Sequence, residues 1–362
     1  MRVLLSLGVL LAGCNCQFAG TLEPSVAIVS VVATDAGRDR CVSEPLLEVF
    51  FPAGGIDDYW APTVVDEQGL IREFRNDAGM VVRRSVLELR ARQWVERDLQ
   101  TRLDVVQHIG EDGTLCGLTW DHPSGAGTLR LEFPDGGTAA PTAGGCIGFR
   151  NGWWVTWHAG HVLRGRGNEV ESLGNLDAGV IPGVLAPGTV PAIQDIRDDG
   201  EVILFVNVRQ PGAWLLPSRR ELLPPANAGS SAPVGFAGAT PVGSTQGQFM
   251  HLPYSWDGEG RPHQFELGSY RERISGVGVV RGHSSGRTCT TLTMSDDSSR
   301  QVAFWKSDGG FVGPDVLRSF DAGFEPYDCS PVTDDWYLVA YPRPFPLGAR
   351  LALLRFQVDC LP

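Results

Sequence analysis

Two histidines three residues apart, His158 and His161 in H-A-G-H, are the nearest approach to a metal-ligand pair in this 362-residue sequence. A helical metalloprotease site needs H-E-x-x-H, which sets both imidazoles on one face and supplies a glutamate base. Here the spacing is three, the glutamate is missing, and Gly160 with the tryptophan-rich run before it reads as strand. Residues three apart on a strand point to opposite faces, so no metal site is assigned. For nucleophilic catalysis a G-x-S-x-G elbow is absent. "GHSSG" at 282–286 sets His283 beside Ser284 and Ser285, where side chains on extended backbone diverge, and a polar turn is expected. The acid pairs Asp57-Asp58, Asp198-Asp199, Asp296-Asp297 and Asp334-Asp335 fall in turn contexts and lack the spacing of a calcium loop. No catalytic residue, metal ligand or cofactor is assigned, and whether the chain is an enzyme stays open, with the balance toward no.

Recognition chemistry is better represented. Trp153, Trp154 and Trp157 cluster in "GWWVTWH", and Trp256 follows in "YSWDG". On a strand Trp153 and Trp157 share one face and Trp154 takes the other. Aromatic platforms bind sugars and peptides; large aromatics also fill cores.

Six cysteines in the body, Cys41, Cys116, Cys146, Cys289, Cys329 and Cys360, make no C-x-x-C pair. In an oxidising compartment three disulfides are expected, with 15 connectivities open. The pairing put forward is Cys116–Cys146, Cys289–Cys329 and Cys41–Cys360, which leaves Cys16 over.

Residues 1–13 set Arg2 before a run of about ten apolar residues, the layout of an export signal and too short to span a bilayer. The run ends Leu11-Ala12-Gly13-Cys14, which resembles the lipobox of bacterial lipoproteins. The resemblance implies removal of residues 1–13, acylation of Cys14 and a membrane anchor through it. Asn15, where aspartate would mark inner-membrane retention, implies the outer membrane. Residues 14–23 then form a short membrane-proximal stalk.

Removing residues 1–13 leaves 362 − 13 = 349 residues with charge 29 − 42 = −13. So acidic a chain argues against nucleic acid as the partner. The role expected is a non-catalytic binding or scaffolding module that presents loops to a protein or glycan partner, the alternatives being a hydrolase or lyase acting on envelope or extracellular polymers and an accessory lipoprotein of an envelope assembly complex.

The elements that would position all this repeat along the chain. Turn–strand–turn–strand units begin at Gly69, Gly113, Gly152, Gly200, Gly247, Arg287 and Asp335, at intervals of 44, 39, 48, 47, 40 and 48. Seven short-strand units near this period resemble the blades of a β-propeller. The units share hydrophobic pattern and spacing rather than residues. Positive-φ turns are expected at 77–79, at 257–258, and at Gly165 and Gly167. The expectation is therefore an all-β fold, a propeller of about seven blades over residues 24–362. The strand-like "SVAIVSVVATD" would complete the last blade and so close the ring near the termini, with Cys41–Cys360 at the seam. The alternative is two β-sandwich-like domains joined near 217–245, a segment that is an inter-blade loop in the propeller reading. Residues 85–106 carry apolar residues at helical spacing (Leu87, Ala91, Trp94, Val95, Leu99, Leu103, Val106), yet Val-Val pairs and the alternation in "LELRAR" favour strand.

Overall fold

A computed structural model describes residues 97–312 with side chains, apart from 111, 122–123, 176–191, 206–211, 226–231 and 245–251. Beyond that span it describes the backbone of the flanking strands, and the side chain of Cys329. Strands β1 (Val26–Val29) and β2 (Leu46–Phe50) come first. They are followed by β3 (Val64–Val65), β4 (Gly69–Arg75), β5 (Val81–Arg90) and β6 (Gln93–Asp98), which pair in that order. The next sheet holds β7 (Val105–Ile109), β8 (Leu115–Asp121), β9 (Ala126–Glu132) and β10 (Thr138–Ala143). After it come β11 (Gly148–Arg150), β12 (Trp153–His158), β13 (His161–Arg166) and β14 (Glu171–Asn175). The fourth contains β15 (Ala192–Ile196), β16 (Val202–Val206), β17 (Gly212–Leu216) and β18 (Arg220–Leu222). The fifth contains β19 (Ser230–Ala237), β20 (Thr240–Gln246), β21 (Pro253–Trp256) and β22 (Pro262–Gln264). In the sixth, β23 (Ile274–Val277) and β24 (Arg281–Gly282) both pair with β25 (Thr288–Met294), which leads to β26 (Arg300–Trp305) and β27 (Phe311–Val312). The last joins β28 (Phe324–Pro331), β29 (Asp335–Pro342) and β30 (Arg350–Gln357) to β2 and then β1, with Leu47 opposite Leu353.

Successive four-stranded antiparallel meanders whose first strands pack against one another make a β-propeller. Strands β11 and β15, β15 and β19, β19 and β24, and β24 and β28 are neighbours in this way. In a propeller such inner strands face the axis. Because each sheet is a meander, its first–second and third–fourth connections share one edge.

Apolar side chains pack between sheets, not within them. Val155 and Val162 meet Ile193, Val202, Leu204 and Trp214, while Ile203, Phe205 and Leu215 turn the other way to meet Phe236 and Trp256. A sheet buried on both faces needs a continuous apolar run, and Val202–Val206 reads VILFV for that reason. Residues 81–98 are two strands in a hairpin, with Arg90 opposite Gln93; the helical spacing there does not make a helix. The segment 217–245, expected as a joint or a loop, supplies β18, β19 and most of β20.

Among the described residues one turn recurs six times, and it corrects the expectation that the units share no residues. At 110–114, 133–137, 197–201, 257–261, 283–287 and 306–310, the first residue accepts from the amide of a glycine three on and donates to the carbonyl four on. Those glycines (Gly113, Gly136, Gly200, Gly260, Gly286, Gly309) have φ between 79° and 87°, the three-residue hairpin with a left-handed glycine. An aspartate precedes the glycine in four of them, and its Oδ1 accepts the amide two residues on, as in Asp112 to Thr114 and Asp199 to Glu201. The left-handed residue near 257–258 is accordingly Gly260, not Gly258. Gly165 is no turn residue either. It lies within β13, where a Cβ would strike the Trp154 ring.

Candidate functional site

The inner strands carry polar side chains at or just past their ends, by the turn into the second strand. His108 comes from β7, Arg150 from β11, Asp195 from β15, and His283 from the residue after β24. Several of these strands are bulged, with Gln107, Gln194 and Val234 as the unpaired residues. A bulge re-aims the residues around it, and here it turns polar groups toward the axis and the next blade. Gln107 Oε1 accepts from Cys146 N at 2.6 Å, and Asp195 Oδ2 accepts from Phe236 N at 3.1 Å.

At the centre is the Arg150 guanidinium. Its Nη1 donates to Phe236 O at 3.3 Å and its Nη2 stands 3.4 Å from Asp195 Oδ2. Both side chains are 20% exposed. Gly282 lies against the same stretch of β19, where a Cβ would collide with Phe236 O. Gly238 N donates to His283 O at 2.7 Å, which fixes the 283–287 turn there. Three inner strands therefore meet around one carbonyl.

Both histidines are held neutral. Burial is the main force that lowers the pKa of His108, and its Nε2 lies 3.1 Å from Ile147 O, so that nitrogen carries the proton. Burial first, then the charges of Arg150 and Arg287, bring His283 down to about 4. Its Nδ1 accepts the Ser285 amide at 3.1 Å and lies 2.9 Å from Ser285 Oγ. The proton of the neutral ring is thus on Nε2. The expected divergence of His283 and its serines fails because the backbone is a turn, which folds Ser285 back onto the ring.

The other residues singled out from sequence scatter. His158 and His161 are not on one strand; they pair across a turn made by Ala159 and Gly160, both with positive φ. His161 bonds Ser172 and Asn175. Among the described residues no group of three metal-ligating side chains gathers. Trp154 and Trp256 are core residues, 0% and 1% exposed, and their indole N–H groups donate to Gly167 O and Leu223 O. Neither can face a ligand. Trp153 is half-buried between Arg164 and Arg166, whose guanidiniums lie 5.0 and 5.3 Å from its ring centre, and it covers Gly200. Trp157 is 39% exposed near the opposite end of β12, and Trp120 stands exposed in the corresponding place on β8. Disulfides Cys116–Cys146 and Cys289–Cys329 are formed as expected. Cys14, Cys16, Cys41 and Cys360 lie outside the described residues.

A cleft of about 610 Å³ opens between residues 97–102 and the turns at 113 and 133–137. Glu132 closes part of its wall by accepting from Thr101 Oγ1 and Arg102 N. The one carboxylate in its lining is thus already engaged, and the axial mouth holds the richer chemistry.

Two signals of this site lie in the sequence: the D-G turn repeat, and the polar residues His108, Arg150, Asp195 and His283 at or beside the ends of short strand-like runs.

No protein-family model matches the chain, and no curated protein matches it in sequence. Solved structures similar to it include the β-propeller domain of the Trilobed protease from Pyrococcus furiosus (8% identity, 78% of this chain and 88% of that one, TM-score 0.49). Others are a prolyl endopeptidase (10%, 76% and 46%, 0.48) and the acylaminoacyl peptidase of Pyrococcus horikoshii (9%, 78% and 48%, 0.47). The chain spans about half the length of these two peptidases. At such identities the likeness is one of fold alone.

Proposed function

We propose that this chain is a lipid-anchored binding module of the cell envelope, a ring of seven blades that presents its loops and axial mouth to a protein or glycan partner. The anchor rests on the lipobox-like Leu11-Ala12-Gly13-Cys14 and Asn15. Pairing of β2 with β30 supports the ring and its closure. The observation that carries the binding role is how the axial polar groups are engaged. Asp195 bonds the backbone of the next inner strand, Gln107 the approach to it, and Arg150 the inner strand beyond its neighbour, so they weld a rigid scaffold whose rim is left for recognition.

A hydrolase reading has one observation in its favour, the 2.9 Å contact of His283 Nδ1 with Ser285 Oγ. Against it, a ring with a pKa of about 4 is a weak base at neutral pH, and its Nδ1 already accepts an amide.

The test is to express the whole chain with its leader in a bacterial host. The anchored module predicts membrane fractionation and an acylated Cys14 by intact mass, both lost in Cys14→Ser, together with a stoichiometric envelope partner on gentle extraction. A soluble, unacylated product would remove the anchor. Ester or peptide hydrolysis abolished by Ser285→Ala would replace the binding role with catalysis.

A further inference from the structure

Among the described residues two tryptophans are exposed, Trp120 at 45% and Trp157 at 39%. They hold the same place in consecutive sheets. Each is the next-to-last paired residue of a second strand, Trp120 opposite Gly127 and Trp157 opposite Val162, just before the hairpin into the third. The two sheets touch there through Gly144. Its amide donates to Gly127 O at 2.9 Å, and a Cβ on it would lie 3.2 Å from Trp157 O. The Trp120 ring in turn covers Gly127, 3.4 Å from where a Cβ would stand. Both indoles therefore belong to one edge of the propeller, the edge of the second–third hairpins.

Strand direction shows where the chain enters. A first strand begins at the edge of the second–third hairpins, since it ends at the other one. Antiparallel pairing alternates direction through the last sheet, in the order β28, β29, β30, β2 and β1. Strand β28 lies beside β24 as a first strand, so β28, β30 and β1 all begin at that same edge. Val26, where β1 starts, is thus on the side of the molecule that carries Trp120 and Trp157. The preceding segment 14–25 spans at most about 40 Å even when fully extended.

We infer that the edge bearing Trp120 and Trp157 is the membrane-facing side, where the two indoles enter the headgroup layer of the bilayer that holds the lipid on Cys14. The inference rests on the anchored reading above and gives it an orientation. An indole has an apolar body and one N–H that seeks a polar partner, so it settles between acyl chains and water. It does so on zwitterionic headgroups, which an acidic chain meets without repulsion. The tether keeps the edge close to the surface, so two rings suffice to hold a face that they would not hold from free solution. The first–second turns, with Arg150 and Asp195 beside them, then point away from the bilayer toward a partner.

The test uses the whole chain with its lipid, reconstituted in phosphatidylcholine vesicles brominated along the acyl chains. Bromine quenches an indole that reaches it. Trp120→Phe with Trp157→Phe keeps a ring at each place and removes both fluorophores. This double variant should lose more than half of the quenching seen in the parent, whereas Trp153→Phe, at the opposite edge, should leave it unchanged. Acrylamide, a quencher in the water, should reach the two indoles in soluble Cys14→Ser and be shut out from them on the vesicles. The inference is overturned if bromine quenches the double variant as it does the parent, or if Trp153→Phe is the variant that loses quenching. Shielding from acrylamide in soluble Cys14→Ser as well would give the edge to a second copy of the chain and overturn it too. Should the double variant fail to fold, the two single variants decide by the same readings. A Cys14 without acyl groups removes the anchor and this inference together. An acylated chain held on the vesicles, with no bromine quenching of these indoles, removes the inference alone and leaves the anchor standing.

Discussion

Cys116 and Cys146 join the second strand of one blade to the approach of the inner strand of the next. Cys289 and Cys329 repeat the relationship, from β25 to β28. Each bond is therefore a staple between neighbouring blades, closing loops of 30 and 40 residues. Both cysteines of the first pair are buried.

Replacing Cys116 and Cys146 together by alanine should cost about 3 kcal/mol, from the freed denatured chain and the lost buried sulfur. Urea unfolding of the oxidised double variant checks the value. A loss below roughly 0.5 kcal/mol would show that the bond adds nothing to the packed interface around it.

Two turn glycines separate backbone strain from side-chain collision. Gly136 has φ +86° with open space where a Cβ would stand, whereas at Gly200, φ +85°, a Cβ would lie 2.8–2.9 Å from the Trp153 ring. Gly136→Ala should cost about 1–2 kcal/mol, the left-handed penalty alone. Gly200→Ala should cost clearly more and should disturb the Trp153 fluorescence. Equal costs would mean that the ring gives way freely.

The histidines give the fold a pH dependence of defined sign. His283 has a folded pKa of about 4 against 6.5 unfolded, and that of His108 is lowered too. As pH falls through 6.5 the unfolded chain takes up protons that the folded chain refuses, so stability declines from there toward pH 4. One such group gives a slope of up to about 1.4 kcal/mol per pH unit. The lowered carboxylate of Asp199 acts in a lower window, below its ordinary 3.8. His283→Gln should flatten the loss between pH 6.5 and 4. An unchanged slope would place the uptake elsewhere.

Asp195 accepts from Ile196 N and Phe236 N as well as facing Arg150. Asp195→Ala strands the amide of a buried residue and leaves a guanidinium unbalanced, an effect of about 2–4 kcal/mol. Thermal unfolding measures it.

The tryptophans should divide cleanly. Trp154→Ala empties a fully buried site and should cost about 3–5 kcal/mol. Trp157→Ala should stay within about 0.5 kcal/mol in stability while weakening any ligand that stacks on that face. Calorimetric scans of the pair would settle the division.

The repeat and the strand character were legible because sheets packed on both faces demand short apolar runs at even spacing, as in Val202–Val206. The unit starting at Gly247 was framed out of phase. It spans the third and fourth strands of its sheet, because β20 reads TPVGSTQ and carries little apolar signal. Cys116–Cys146 and Cys289–Cys329 could be proposed because the partners fall in successive units. The axial mouth was not legible. Arg150, Asp195 and His283 are separated by dozens of residues and meet only because each ends an inner strand, while the aromatic cluster that drew attention is half core. His158 and His161 misled for a local reason: two left-handed residues, Ala159 and Gly160, turn an apparent strand into a hairpin.

The sheet that carries β2 beside β30 draws on residues about three hundred positions apart, as in Leu47 and Leu353. Every other sheet can zip up from consecutive sequence as the polypeptide emerges. This one waits for the final strand, so its outer half stays an unpaired edge throughout synthesis. A chain cut short before residue 350 would leave β2 without its β30 partner and with its hydrogen-bonding edge exposed, a ready seed for association with another copy. Quality control that acts on such edges would discard truncated chains and spare finished ones.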